Sequence, residues 1–164
     1  MKISFNLNGE NVSAETLPTE RLVTILRNKF SLCLSKMRCG EGNCGACTVL
    51  LDGVPVHSCI IPVYAAAGCE IITLEHFLQT EEGKDIEQAF KQANVKTCGF
   101  CDADKYFSVN EYINKNPAIK NSDEIRAMVE NMNCQCVKHQ RLGGAIVLAA
   151  RNRRTRKNGE KHGK

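Results

Sequence analysis

The sequence predicts an α+β protein, a small sheet domain followed by a four-helix bundle. Three observations predict it. The first third alternates apolar and polar residues around tight-turn dipeptides. The second half changes to a helical period and carries four short amphipathic stripes. Most of the ten cysteines, out of 164 residues, fall in two groups, one in each half.

The elements follow in order. Lys2 to Leu7 alternates with Ile3, Phe5 and Leu7 on one face, and Asn8-Gly9 is a strong hairpin turn signal. Asn11 to Thr16 is the returning strand. Pro18-Thr19-Glu20 opens a helix whose stripe is Leu22, Ile25, Leu26 and Phe30. After a Gly- and Cys-rich loop, Thr48 to Leu51 is a strand, Asp52-Gly53 turns it, and Val54 to His57 returns. Glu70 to Leu74 is a last short strand. The sheet domain therefore takes residues 1–76.

Residues 79–83, Gln-Thr-Glu-Glu-Gly, read as a linker. The bundle takes residues 84–150. Its first stripe is Ile86, Ala89, Phe90 and Ala93. The second is Tyr106, Val109 and Ile113, stopped before Pro117. The third is Ile125, Met128, Val129 and Met132, with Asn121 or Ser122 as its cap. The fourth is Leu142, Ile146 and Ala149, weakened by Gly143-Gly144. Tyr106, Phe107 and Tyr112 serve as bundle core and rim. Residues 151–164 hold seven Lys/Arg, one acid and almost no apolar residue, so a basic disordered tail is expected.

Composition narrows the function. The net charge of +4 comes from that tail, and the other 150 residues hold 15 bases against 17 acids. A basic folded surface for nucleic acid is therefore not supported. No apolar run approaches the roughly 18–20 residues that span a bilayer. The N-terminal stretch has neither the apolar segment nor the cleavage site of a secretory signal, so a cytoplasmic protein is expected. In a reducing compartment clustered thiols bind metal or do redox chemistry more often than they form disulfides. Neither a phosphate-binding loop nor a Ser/His/Asp set is present.

The first cysteine group is Cys39-Gly-Glu-Gly-Asn-Cys44-Gly-Ala-Cys47, with Cys59 beyond it. The C-x4-C-x2-C run is the plant-type spacing for a [2Fe–2S] centre. Gly40, Gly42 and Gly45 permit the backbone to approach a cluster and aim N–H groups at its sulfurs. The hairpin at Asp52-Gly53 carries Cys59 back to the same place. The second group is Cys98-Gly-Phe-Cys101 and Cys134-Gln-Cys136, each pair near the end of a helix. Four thiolates at either place also fit structural zinc, although Cys-x-Cys is poor zinc-knuckle spacing. A zinc-stapled interaction module without redox function is the competing reading.

Cys33 and Cys69 lie outside both groups and read as buried spectator thiols. His57 lies near Cys59, but four cysteines already suffice for a cluster. Lys96, Lys105 and Lys138 read as solvated charges, and His139 as a surface or interface residue.

On these motifs the chain resembles the iron–sulfur subunit of the molybdenum hydroxylases, the xanthine dehydrogenase, aldehyde oxidoreductase and carbon monoxide dehydrogenase family, over roughly residues 2 to 150. The resemblance implies a β-grasp ferredoxin-like domain and a four-helix bundle, each with one [2Fe–2S] cluster. It implies Cys39, Cys44, Cys47 and Cys59 as ligands of the first cluster and Cys98, Cys101, Cys134 and Cys136 as ligands of the second. It implies an electron-transfer subunit of an oxidoreductase complex with no substrate site of its own. Its partners would be a molybdopterin-binding large subunit and an FAD-binding medium subunit, with single electrons passing from the first towards the flavin subunit or an external acceptor. The sequence departs from the family pattern at one end. Thr97 stands where Gln is usual, Asp102-Ala103-Asp104 where Thr-Pro-Gly is usual, and Val137-Lys138-His139 where Thr-Gly-Tyr is usual. Arg38 replaces the usual Gly before the first ligand. The departures at the second group leave open a divergent subunit that serves a non-standard partner.

Overall fold

In the computed structural model, which describes residues 1–117, 122–132, 134 and 136–162, the chain begins with a hairpin. Strand β1 (Lys2–Leu7) pairs antiparallel with β2 (Glu10–Glu15), in a register that sets Ile3 opposite Ala14 and Phe5 opposite Val12. Ile3, Phe5 and Leu7 are all buried, as period-2 alternation requires when one face meets a core. Helix α1 (Leu22–Phe30) covers that face with Leu22, Ile25 and Leu26, and Phe30 meets the edge of Phe5 with ring centroids 5.8 Å apart. The helix ends at Ser31 in the left-handed conformation, φ 57°.

Strands β3 (Thr48–Leu51) and β4 (Val54–His57) form the second hairpin, and β5 (Glu70–Ile72) lies between the two hairpins. The sheet order is β2-β1-β5-β3-β4, with β5 parallel to β1 and antiparallel to β3. Strand β5 stops at Ile72, short of the Leu74 expected from apolar pattern. Thr73 leaves the strand because its N–H donates to Asn8 Oδ1 (2.9 Å) and its hydroxyl accepts from Asn8 Nδ2 (3.2 Å). Leu74 then starts a one-turn helix, α2 (Leu74–Phe77). A 3-10 turn at Val63–Ala66 also had no signal in the periodicity.

The bundle consists of α3 (Glu81–Gln92), α4 (Asp102–Lys115), α5 (Ser122–Glu130) and α6 (His139–His162). Three of the five residues read as linker belong to α3. Thr80 is its N-cap, with Oγ1 accepting from the Gly83 N–H at 3.1 Å. Gly83 is required there, because a Cβ would collide with the Phe77 carbonyl. Asn121, one of the two candidate caps of α5, lies outside the described residues. Ile86, Phe90, Phe107, Ile113, Val129 and Ile146 fill the core.

The sheet's second face joins this core. Val49 packs under α1, whereas its neighbour Leu50 points the other way and packs with the bundle residues. Helix α4 lies against β3 and β4. This sandwich brings the start of α4 beside the cysteine loop of the sheet domain.

The basic tail is helical, not disordered, through His162. Arg153 is only 4% exposed. It donates to Asn114 Oδ1 (2.8 Å), Asn110 Oδ1 (2.9 Å) and the Glu82 carbonyl (3.3 Å), and it pairs with Asp85 at 3.7 Å. One turn on, Arg156 pairs with Asp85 (2.9 Å) and Glu82 (3.3 Å). Two of the residues that make the tail basic, Arg153 and Arg156, also seat it on α3, so low hydrophobicity was a poor guide. Among the described residues no helix is long and apolar enough to cross a membrane.

Candidate metal centres

The first group is assembled by the loop between α1 and β3 together with the β3/β4 hairpin. Cys47 immediately precedes β3 and Cys59 closely follows β4, where Thr48 pairs with His57. Ser58 fixes the juncture, its N–H and Oγ both donating to the Cys47 carbonyl (3.3 and 2.7 Å). Cys47 and Cys59 are 2% and 1% exposed and pack on Val23 of α1. Burial pushes the Cys47 thiol up to about 12, against the pull of the Cys59 backbone N–H.

Cys39 and Cys44 form the more open half. The Glu41 N–H points at Cys39 Sγ from 3.4 Å. That contact, with the N–H groups of Cys44 and Asn43 and the Cys44 side chain, pulls Cys39 down to about 6. Gly40, Gly42 and Gly45 all have positive φ, 72°, 76° and 69°. The loop thus turns N–H groups towards sulfur, as the glycine pattern predicts.

The second group is tighter. The sulfurs of Cys98, Cys101, Cys134 and Cys136 all lie within 4.8 Å of one another. Neighbouring pairs are separated by 3.4 Å (Cys98–Cys101), 3.2 Å (Cys101–Cys136) and 3.9 Å (Cys98–Cys134). Cys101 caps α4 and is buried, and burial pushes its thiol well above the ordinary range. Cys98 and Cys136 are exposed. Burial also acts on Cys98, but the N–H groups of Phe100 and Cys101 and the neighbouring sulfurs outweigh it and leave that thiol at about 6. The second group therefore offers four convergent thiols, part acidified by backbone N–H groups, a donor set that fits a [2Fe–2S] cluster. The first group is laid out as two pairs, Cys39 with Cys44 and Cys47 with Cys59.

The two groups touch. Lys36, from the first loop, donates to the Gly99 carbonyl. Lys36 Nζ and Arg38 Cζ stand 5.2 and 5.6 Å from the centroid of the Phe100 ring. Arg38, one of the departures from the family pattern, thus meets the Cys98-Gly99-Phe100-Cys101 turn. Asp104, on α4, lies against Gly45 between two cysteines of the first loop.

Three expectations need correction. Lys105 is not solvated: it is 1% exposed, and Nζ donates to the Cys134 carbonyl at 2.9 Å. The signal for it was its place four residues before Val109 and eight before Ile113, on a stripe that the bundle buries. Cys33 is exposed and Cys69 only partly buried, because both lie in connections rather than under the sheet. Both remain outside the two thiol groups. His57 faces Gly42, with Nδ1 3.6 Å from the position of a Cβ there, and adds a favourable charge interaction to Asp104.

Comparison with known proteins agrees with this geometry. A family model described as a 2Fe-2S iron-sulfur cluster binding domain matches residues 5–67, and one described as a [2Fe-2S] binding domain matches residues 73–147. The chain is 35% identical to a nicotinate dehydrogenase subunit of Pseudomonas putida, over 93% of this chain and 96% of that protein. It is 35% identical to the nicotinate dehydrogenase small FeS subunit of Eubacterium barkeri, over 90% of this chain and 93% of that protein. A chain in the crystal structure of quinoline 2-oxidoreductase from Pseudomonas putida 86 superposes with a TM-score of 0.81 at 32% identity, covering 94% of this chain and 96% of that one. These matches favour iron–sulfur over zinc at both sites. The chain belongs to the iron–sulfur small subunits of the molybdenum hydroxylase family, electron-transfer subunits with two [2Fe–2S] domains.

Proposed function

We propose that Cys39, Cys44, Cys47 and Cys59 hold one [2Fe–2S] cluster and Cys98, Cys101, Cys134 and Cys136 the other. The chain would then relay single electrons from a molybdopterin-binding large subunit towards an FAD-binding medium subunit. The bound clusters supply one-electron chemistry; the protein sets their distance, exposure and charge. The observation that carries this reading is the direct contact between the segments that carry the two sets of cysteines, through Lys36 on Gly99 and Asp104 on Gly45. A zinc-stapled module has no need to hold its two sites against each other. Burial of Cys47 and Cys59 keeps water from one side of the first site, while exposed Cys98 and Cys136 open the second towards a partner. Free thiols at the surface, Cys33 among them, suit a reducing cytoplasm.

Metal analysis of the holoprotein with its native partners tests the reading. Two clusters give about four iron and four acid-labile sulfide per chain, with visible absorption bleached by dithionite. Cys44→Ala and Cys101→Ala should each remove one cluster and leave the other. A colourless protein with about two zinc ions per chain would overturn the assignment. Co-purification of a molybdopterin subunit without a flavin subunit would remove the flavin partner alone.

A further inference from the structure

Lys105 is among the largest fully buried side chains of the protein. An ammonium group taken out of water without a counter-charge is strongly unfavourable. Yet among the described residues no carboxylate lies within ion-pair distance of Lys105, whose charge reaches Asp104 only from farther off. Its contacts are the Cys134 carbonyl at 2.9 Å and the Met132 sulfur at 4.0 Å, a poor acceptor. The nearby carboxylates belong to its own helix. Asp104 lies against Gly45 and accepts from Ser108, and Asp102 has a buried oxygen, Oδ1, without a hydrogen bond. Packing does not call for a lysine either, because the stripe it shares with Val109 and Ile113 is apolar.

We propose that Lys105 is the fixed counter-charge of the second cluster and the residue that holds the Cys134–Cys136 segment against it. It is a positioning residue that raises the reduction potential of that cluster relative to the first. The proposal rests on the ligand assignment above. Two sulfides and four thiolates outweigh two ferric ions, so the bound group is anionic, and one-electron reduction makes it more so. A cation held on the carbonyl of one ligand, and four residues along the helix from another, favours that added charge. The backbone N–H of Lys105 donates to the Cys101 carbonyl at 3.1 Å, so one residue ties two ligand segments together.

The test uses full-length holoprotein and the variants Lys105→Gln and Lys105→Met, with iron content and EPR-monitored titration by dithionite, the electron donor. Gln keeps an N–H for the Cys134 carbonyl but no charge; Met keeps neither. Unmutated protein with fewer than about four iron per chain defeats the ligand assignment, whatever the variants do. With full iron in the unmutated protein, Lys105→Gln is expected to keep both clusters. The second cluster should become about tenfold harder to reduce, about 59 mV for one electron, while the first moves by less than about threefold. Loss of the second cluster from Lys105→Met alone supports the holding role, and its loss from both variants with helicity intact supports a need for the cation. An unmoved second potential in Lys105→Gln, or equal shifts in both clusters, overturns the proposal. Collapse of the bundle in both variants does so too, because Lys105 would then be a packing residue.

Discussion

Asp104 stands against Gly45: a Cβ built on the glycine would lie 2.5 Å from the Asp104 Cβ. The helix that begins at the Cys98–Cys101 turn is therefore seated on the glycine between Cys44 and Cys47. Together with Lys36 and Arg38 on the Gly99-Phe100 turn, this makes the two cysteine loops one contact surface. The loops that present the thiols also set how far apart the two sites are.

Gly45→Ala tests that contact. The left-handed backbone at residue 45, φ 69°, costs a non-glycine residue about 1–2 kcal/mol, and the collision with Asp104 adds to it. Adding Asp104→Gly removes the collision but not the backbone penalty, so the double variant should recover only part of the lost stability. Thermal unfolding of the four proteins in a double-mutant cycle measures the coupling. Strict additivity would show that the two side chains do not meet.

Arg153 is expected to matter more than its place near the C-terminus implies. Removing one partner of a buried ion pair typically costs about 3–5 kcal/mol. Arg153→Ala would leave Asp85 with Arg156 alone and strip donors from Asn110 and Asn114. The bundle should lose several degrees in Tm, whereas Arg151→Ala, at an exposed position of the same helix, should lose little. Equal, small effects from both would mean that the end of α6 is not anchored.

Cys33→Ala and Cys69→Ala should each keep full iron, since both thiols lie outside the two groups. Iron and labile sulfide per chain decide this directly. A missing cluster in either variant would reassign that thiol as a ligand.

What could be read from the sequence was what local chemistry dictates. Asn8-Gly9 and Asp52-Gly53 turn the hairpins because their dihedral preferences act within two residues. The Cys98-x-x-Cys101 and Cys134-x-Cys136 spacings located the second thiol group, whose sulfurs the helix ends bring within 4.8 Å of one another. Features that depend on which face meets which element could not be read the same way. Lys105 and Arg153 are polar residues at core positions, and only the packing of α4 and α6 shows that each has partners inside. Asp104 was legible as a carboxylate near the second group, but its contact with Gly45 needs the bundle docked on the sheet. Thr80 illustrates the boundary between the two kinds of signal: a Thr followed by two acids is a fair helix start, yet the same residues read as a linker.

The contact at Gly45 also changes what the two aspartates should do to the cluster potentials. Asp102 and Asp104 both lie near Cys101, so each carboxylate disfavours the negative charge that reduction adds to the second cluster. At an effective dielectric of about 20, a unit charge at roughly 8 Å acts with about 2 kcal/mol before screening. Replacing either by Asn should make the second cluster easier to reduce, by about threefold to tenfold after screening. Asp104 touches the first loop as well, so Asp104→Asn should raise both potentials, while Asp102→Asn should raise only the second. The pH dependence has a definite sign. Burial pushes the Asp104 carboxyl above its ordinary range, with Lys105 first and then His57 and Ser108 working the other way. The carboxylate charge is present above that raised range and disappears as pH falls through it. The difference between unmutated protein and Asp104→Asn should therefore be largest at alkaline pH and shrink on acidification, with the charged form of Asp104 the one the fold disfavours. EPR-monitored titrations of both clusters at several pH values measure it. A shift confined to the second cluster in Asp104→Asn would mean that the seat on Gly45 carries packing but no electrostatic link between the two centres.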